Sequence, residues 1–485
     1  MNKKIDVLVV GAGISGIGAG YHLQKKCPET SFLILEGREN IGGTWDLFKY
    51  PGIRSDSDMY TLGFNFKPWK EQEAIADAAS ILKYLNETVE EFNLKNKIRF
   101  GNYVKKARWS SDSNQWTVDI EDKKTGKFSQ ILCNFIFMCS GYYSYKEGYT
   151  PHFEGKENFK GDIIHPQKWD TNFDYSNKKI VVIGSGATAV TIVPEMAKTA
   201  EHVIMLQRSP TYVVAAPEKD NLANKLRKYL PLKFTYWLIR WRNILRQQYY
   251  FSLCKKYPKG VKNAIIREIK KKLSKEFDVK THFTPKYNPW DQRMCLVPDG
   301  DLFEQINHGK VSVVTDHIKN FTENGLLLLS GEELEADVII TATGLNLEML
   351  STVEFFVDNK SVDISKTVTY KGMMYSGIPN LASTFGYTNA SWTLGADLTS
   401  EYVCRVINHM KRNNYNVVCP KPNISIEPDP DYLNLTSGYI KRSRNIFPQQ
   451  GKKAPWRTNQ NYLIDIFQMK YGRIDDGEIS FEKIV

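Results

Sequence analysis

Apolar residues are spaced along this chain in a pattern that repeats. A run at 5–10 predicts a strand buried on both faces, a helical stretch follows it, and a second apolar run at 31–35 predicts a neighbouring parallel strand. A helix is predicted over 72–96. Short strands broken by polar turns are predicted over 98–138, ending in the apolar run 135–138. The order then recurs: strand at 179–183, helix, strand at 202–206, and a closing strand at 337–343 before Gly344. The second unit is the longer, running from Gly184 to Gly344 against Gly11 to Gly141, so it carries an insertion, placed at 214–281. A last helical pattern covers 399–410, where the chain is expected to return to the first unit.

The turn after the first strand of each unit gives the repeat its chemistry. Gly11-Ala12-Gly13-Ile14-Ser15-Gly16 comes directly after the first strand and opens the helix, and Glu36 ends the second strand. Gly11 suits a tight turn, Gly13 a close approach of backbone to a pyrophosphate, and Gly16 close packing of helix on strand. An acid at Glu36 suits ribose hydroxyls. In the second unit Gly184-Ser185-Gly186-Ala187-Thr188-Ala189 plays the same part, and Gln207-Arg208 stands where the first unit has its acid. An acid would repel a 2′-phosphate and an arginine pairs with it, so the first loop is expected to hold FAD and the second NADPH. The fold class is therefore α/β: two doubly wound, Rossmann-like dinucleotide-binding domains with a helical insertion in the NADP domain. The expected division is FAD domain 1–145, NADP domain 146–213, basic helices 214–281, NADP domain 282–379 and FAD domain 380–485.

Two segments between these elements are too specific in composition for ordinary loops. One is Gly42-Gly43-Thr44-Trp45-Asp46-Leu47 continuing to Tyr50-Pro51-Gly52 and Asp56; the other, at 159–170, reads Phe159-x-Gly161-x-x-x-His165-x-x-x-Trp169-Asp170. Together they resemble the paired fingerprints of the Baeyer-Villiger monooxygenases. The resemblance implies an NADPH- and dioxygen-dependent flavoenzyme that converts ketones to esters or lactones through a C4a-peroxyflavin and also oxygenates sulfides and thioamides. It implies Thr44, Trp45, Asp46 and Leu47 on the FAD, the backbone at Val104 on its adenine, Asp56 near the flavin ring beside the nicotinamide, and Arg54 on the NADP. Arg293, in the loop-rich stretch 287–298, resembles the arginine that such enzymes direct at the flavin. It is the expected fixed positive charge, oriented by Asp56. Many members carry Lys just before it where this chain has Gln292, so discrimination against NADH is expected to be softer. His165 and Trp169 are expected to couple the NADP domain to the flavin site as a hinge and packing cluster, with direct proton transfer by His165 as the alternative. The rival reading is an N- or S-oxygenating flavin monooxygenase, whose fingerprint usually lacks the Trp; a more remote one is a non-catalytic flavoprotein module.

Composition narrows this further. Seven widely spaced cysteines without a Cys-x-x-Cys pair indicate neither a disulfide framework nor a metal site, and they weigh against the disulfide-reducing flavoenzymes. No signal peptide or membrane span is expected, and the reading is cytoplasmic. The net charge of +11 is concentrated: residues 219–280 hold eighteen Lys/Arg against four Asp/Glu. No nucleic-acid module accompanies that block. Its interleaved aromatics suit helices that pack on one side and present a solvated face, one able to make peripheral contact with an anionic membrane at its inner surface.

Overall fold

The computed structural model describes residues 4–422, 426, 427, 429 and 437–483. Two sheets organise them. In the first, of eleven strands, Lys4–Val10 lies between Phe32–Leu35 and Phe128–Met138, parallel to both. Phe128–Met138 divides its other edge, pairing antiparallel with Gln115–Asp122 through residues 128–133 and parallel with Leu381–Ser383 through 136–138. The second sheet is wholly parallel, in the order Val311–Thr315, His202–Gln207, Lys179–Ile183, Val338–Thr341, Asp162–Ile164. Its three central strands are apolar along nearly their whole length, as burial on both faces demands.

The chain crosses between the sheets in each direction, and the crossings pair with one another: Tyr143–Gly148 runs antiparallel to Leu345–Leu347. A two-stranded ribbon thus connects the two halves.

Several boundaries differ from those the pattern predicts. The chain rejoins the first sheet not near 380 but at Glu354–Val357, which pairs with Asn102–Ser110, and stays in it through Leu381–Ser383. These strands are only two to four residues long, too short to register as alternation. The helix expected over 72–96 is Ala78–Glu91, capped by Asp77, whose carboxylate accepts from the Ser80 amide, and followed by Asn93 at φ 52°. The helix expected over 399–410 is Trp392–Arg412; its first turns are rich in Thr, Gly and Asp, which hides the period. The inserted helices lie between two strands that pair in parallel, Val213–Ala216 and Cys295–Pro298. The main helices between them are Leu232–Lys256 and Pro258–Lys272.

Candidate active site

A cavity of about 1130 Å³ opens between the sheets. The first glycine loop forms its floor through Gly11, Gly13 and Ser15. Gly16 lies behind, where helix Ile14–Lys26 packs so closely that a Cβ would overlap the Gly11 carbonyl oxygen. Glu36, also on the wall, closes the loop: its Oε2 accepts from the Ala12 amide at 2.7 Å and its Oε1 from the Arg38 amide at 2.9 Å. Burial pushes its pKa up, and those amides partly offset the rise. Thr44, Trp45 and Leu47 line the cavity beside the loop, and Gly13 faces Gly43. Asp46 does not line it: its carboxylate is bound to Arg38 at 2.6 Å and Lys49 at 3.3 Å, so it braces this segment instead. Val104 lines the cavity where the ladder to the next strand shifts register, between Val104 and Lys106.

The 42–56 segment reaches from the first unit to the second. Tyr50 packs on the second unit's core, and Gly52, at φ +73°, lies so near the Thr191 carbonyl and Glu195 that a side chain would not fit. Arg54 Nη1 donates to Asp301 Oδ2 at 2.6 Å, while its Nε and Nη2 are buried with no partner among the described residues. Two donors on a buried guanidinium at a cavity wall are costly unless a ligand accepts from them.

Asp56 and Arg293 both face into this cavity. Asp56 is exposed to the cavity but lies deep among protein atoms, and that desolvation pushes its pKa up to about 6, against the pull of Arg293 and Arg54. Arg293 is likewise exposed to the cavity; desolvation opposes its charge, yet among Tyr142, Tyr439, Tyr143 and the Asp56 carboxylate its guanidinium is held above its ordinary value and stays charged. Arg293 donates to the Tyr387 carbonyl at 3.5 Å. The result is a fixed cation on an aromatic wall.

From the second glycine loop, Ala187 and Thr188 reach the cavity. Gly184, Ser185, Gly186 and Ala189 do not line it. Gly184 turns against the Ala342 carbonyl, Ser185 Oγ bonds Thr211 Oγ1 at 2.8 Å, Gly186 faces open space and Ala189 is core. Arg208 is exposed beside this loop, with no carboxylate partner among the described residues. Gln207 differs from expectation: its side chain turns inward, donating to the His282 carbonyl and Thr315 Oγ1, which leaves only its backbone beside the loop.

The 159–170 segment stands apart from the cavity and beside the connecting ribbon. His165 Nδ1 accepts from the Gln167 amide at 3.2 Å, so its Nε2 carries the proton and donates to the Gly344 carbonyl at 3.1 Å. Burial lowers its pKa, which keeps the ring neutral. Gln167 Nε2 donates to the Ser144 carbonyl at 2.7 Å, so two residues of this segment bind the ribbon, Gln167 within its first strand and His165 at Gly344, just before its second. Phe159 packs on Phe321, Trp169 packs on Phe173 and Tyr175, and Gly161 passes so close to the Asp337 carbonyl that no Cβ would fit. Asp170 caps an exposed turn, accepting from the Asn172 amide.

Sequence reasoning does not single out Arg38, Asp301, Trp392 or the tyrosines around Arg293. Arg38 had a signal, since it follows Glu36 by two positions. Trp392, whose Nε1 donates to Ser15 Oγ at 2.7 Å, comes from a segment 377 residues away, and nothing local marks it.

A family model described as flavin-binding monooxygenase-like matches residues 2–411. The chain is 53% identical to the FAD-containing monooxygenase EthA of Mycobacterium tuberculosis over 485 residues, covering 100% of this chain and 99% of that protein. Among solved structures it resembles an oxidized steroid monooxygenase bound to NADP, with a TM-score of 0.80 at 21% identity over 99% of this chain and 100% of that one. It also resembles cyclohexanone monooxygenase from Rhodococcus sp. Phi1 bound to NADP+, with a TM-score of 0.78 at 18% identity over 100% of both chains. Full-length identity at this level, together with the family match, places the chain in the flavin-binding monooxygenase-like family.

Proposed function

We propose that this monooxygenase uses FAD, NADPH and dioxygen to convert ketones to esters or lactones, and that it also oxygenates soft sulfur in sulfides and thioamides. The observation that carries the reading is convergence. The first glycine loop, Thr44-Trp45, Asp56, Ala187-Thr188 and Arg293 come from distant parts of the chain and meet on one cavity of about 1130 Å³.

The residues present fit both cofactors. Gly11, Gly13, Ser15, Glu36, Thr44, Trp45, Leu47 and Val104 would hold FAD; Arg54, with its unpartnered buried donors, would hold NADP together with Ala187, Thr188 and Arg208. When bound, the pair supplies the two electrons with which dioxygen is activated, one of its atoms going to the substrate and the other to water. The protein's share is position and charge. Arg293 sets a permanent positive charge on the wall where negative charge develops on oxygen, an effect worth about 3–4 kcal/mol for one preorganised donor. Asp56, ionised above about pH 6, balances Arg293 and orients it. The aromatic side chains of Tyr142, Tyr143, Tyr387 and Trp392 keep that wall dry.

His165, Gln167 and Trp169 act from outside the cavity. With both ring nitrogens of His165 used on the backbone, the segment fixes the connecting ribbon rather than moving a proton, which supports a coupling role. The test is turnover of FAD-loaded protein with a panel of ketones, sulfides and thioamides. Ester and sulfoxide formed with substrate-stimulated NADPH oxidation supports the reading, and sulfoxide without any ester assigns the chain to sulfur oxygenation alone.

A further inference from the structure

Helix Leu232–Lys256 has two faces of opposite kind. The inner face is fixed to the first unit: Arg240 donates to the Tyr60 and Gly63 carbonyls at 2.7 Å each, and Asn243 and Gln247 donate to the Asp58 carboxylate at 2.8 and 3.2 Å. The outer face therefore cannot turn inward. Along it run Phe234, Leu238, Trp241, Leu245 and Tyr249, at a spacing of three or four residues that lines them up over four turns, with Trp237 at their flank. Phe234 is 50% exposed, Trp237 51%, Leu245 51% and Tyr249 66%. Trp241 packs on Tyr462 of the C-terminal region, bringing alongside a second element whose Phe467 and Tyr471 are 69% and 74% exposed. Large aromatic and aliphatic side chains exposed together on two neighbouring elements mark an interaction surface rather than scattered surface residues.

Charge identifies what covers it. Leu232–Lys256 contains no Asp or Glu. Arg242 pairs with Asp220 and Lys255 with Asp291, whereas Lys228, Lys233, Arg246 and Lys256 have no carboxylate partner among the described residues. A second copy of the chain docked on this face would set these cations against their own kind. An anionic surface neutralises them, and Trp and Tyr are the side chains that settle best where apolar chains meet headgroups. No described helix is long and apolar enough to span a bilayer. We infer that the outer face of Leu232–Lys256, with Phe467 and Tyr471, is a docking surface for anionic phospholipid bilayers, seated at the headgroup level without insertion.

The experiment is co-sedimentation of the full-length, FAD-loaded protein with vesicles of equimolar phosphatidylglycerol and phosphatidylcholine, and with phosphatidylcholine alone. Binding is expected only to the anionic vesicles, and is lost near 1 M salt, where the screening length falls to about 3 Å. Lys233→Gln with Arg246→Gln is expected to lower the partition about thirtyfold, from two charges at about 1 kcal/mol each. Trp237→Ser with Leu245→Ser is expected to lower it as well, while both double variants oxidise NADPH in vesicle-free buffer as the parent does. No sedimentation with anionic vesicles, equal sedimentation with neutral ones, or double variants that sediment like the parent would overturn the proposal. So would a concentration-dependent dimer that the serine variant abolishes.

Discussion

The two glycine loops share one local plan of apolar strand, turn and helix, yet the fold treats them differently. The first is enclosed: Gly13 faces Gly43, Trp392 binds Ser15, and Glu36 is tied across the loop to the Ala12 amide. The second lies open, with Gly186 facing empty space and Arg208 exposed beside it. Enclosure on this scale suits a group retained through turnover, and exposure suits one that enters, delivers its electrons and leaves. The difference arises from what packs over each loop after folding, not from the loops themselves.

The largest effect expected from breaking the comparison is at Gly16. Gly16→Ala forces a methyl onto the Gly11 carbonyl, and the variant should purify without flavin absorbance. Gly186→Ala, in the open loop at the position that matches Gly13, meets no protein atom and should keep its full flavin content and weaken only NADPH. Next in size is Arg293→Ala. Losing one fixed donor should lower ester formation by about 10²–10³-fold, with flavin bound and product formation followed by chromatography. Arg208→Ala should lower kcat/KM for NADPH by about tenfold to hundredfold, the worth of a charged hydrogen bond, and leave NADH unchanged; steady-state assays with the two cofactors compare them.

The smallest effect is a matter of pH. The Asp56 pKa is raised, so the folded protein holds this proton more tightly than an unfolded chain would, and the carboxylate that balances Arg293 forms only as pH rises through about 6. Turnover should fall on the acid side with an apparent pKa near 6. Asp56→Asn should be slow at all pH values and lack that limb.

These contrasts also show what the chain makes legible before it folds. Glycine turns, the acid at 36 and the arginine at 208 follow from local sterics and charge, so strand–turn–helix spacing is enough to find them. The ion pair between Arg54 and Asp301 spans 247 residues, and the bond from Trp392 to Ser15 spans 377; neither leaves a local trace. Asp46 sits in a motif yet spends its carboxylate on Arg38, and Gln207 turns inward, because side-chain direction is settled by tertiary packing. The early return of the chain at Glu354–Val357 is hidden for a related reason. Strands this short are stabilised by the sheet they join and carry little periodicity of their own.

Labelled dioxygen tests the central claim most directly. If the shared cavity brings both cofactors to one substrate, turnover of a ketone with NADPH under ¹⁸O₂ consumes one NADPH per ester, places one labelled atom in the ester and the other in water, and does so only when the ketone is present. NADPH oxidation that proceeds equally without ketone, or an ester free of label, would contradict it.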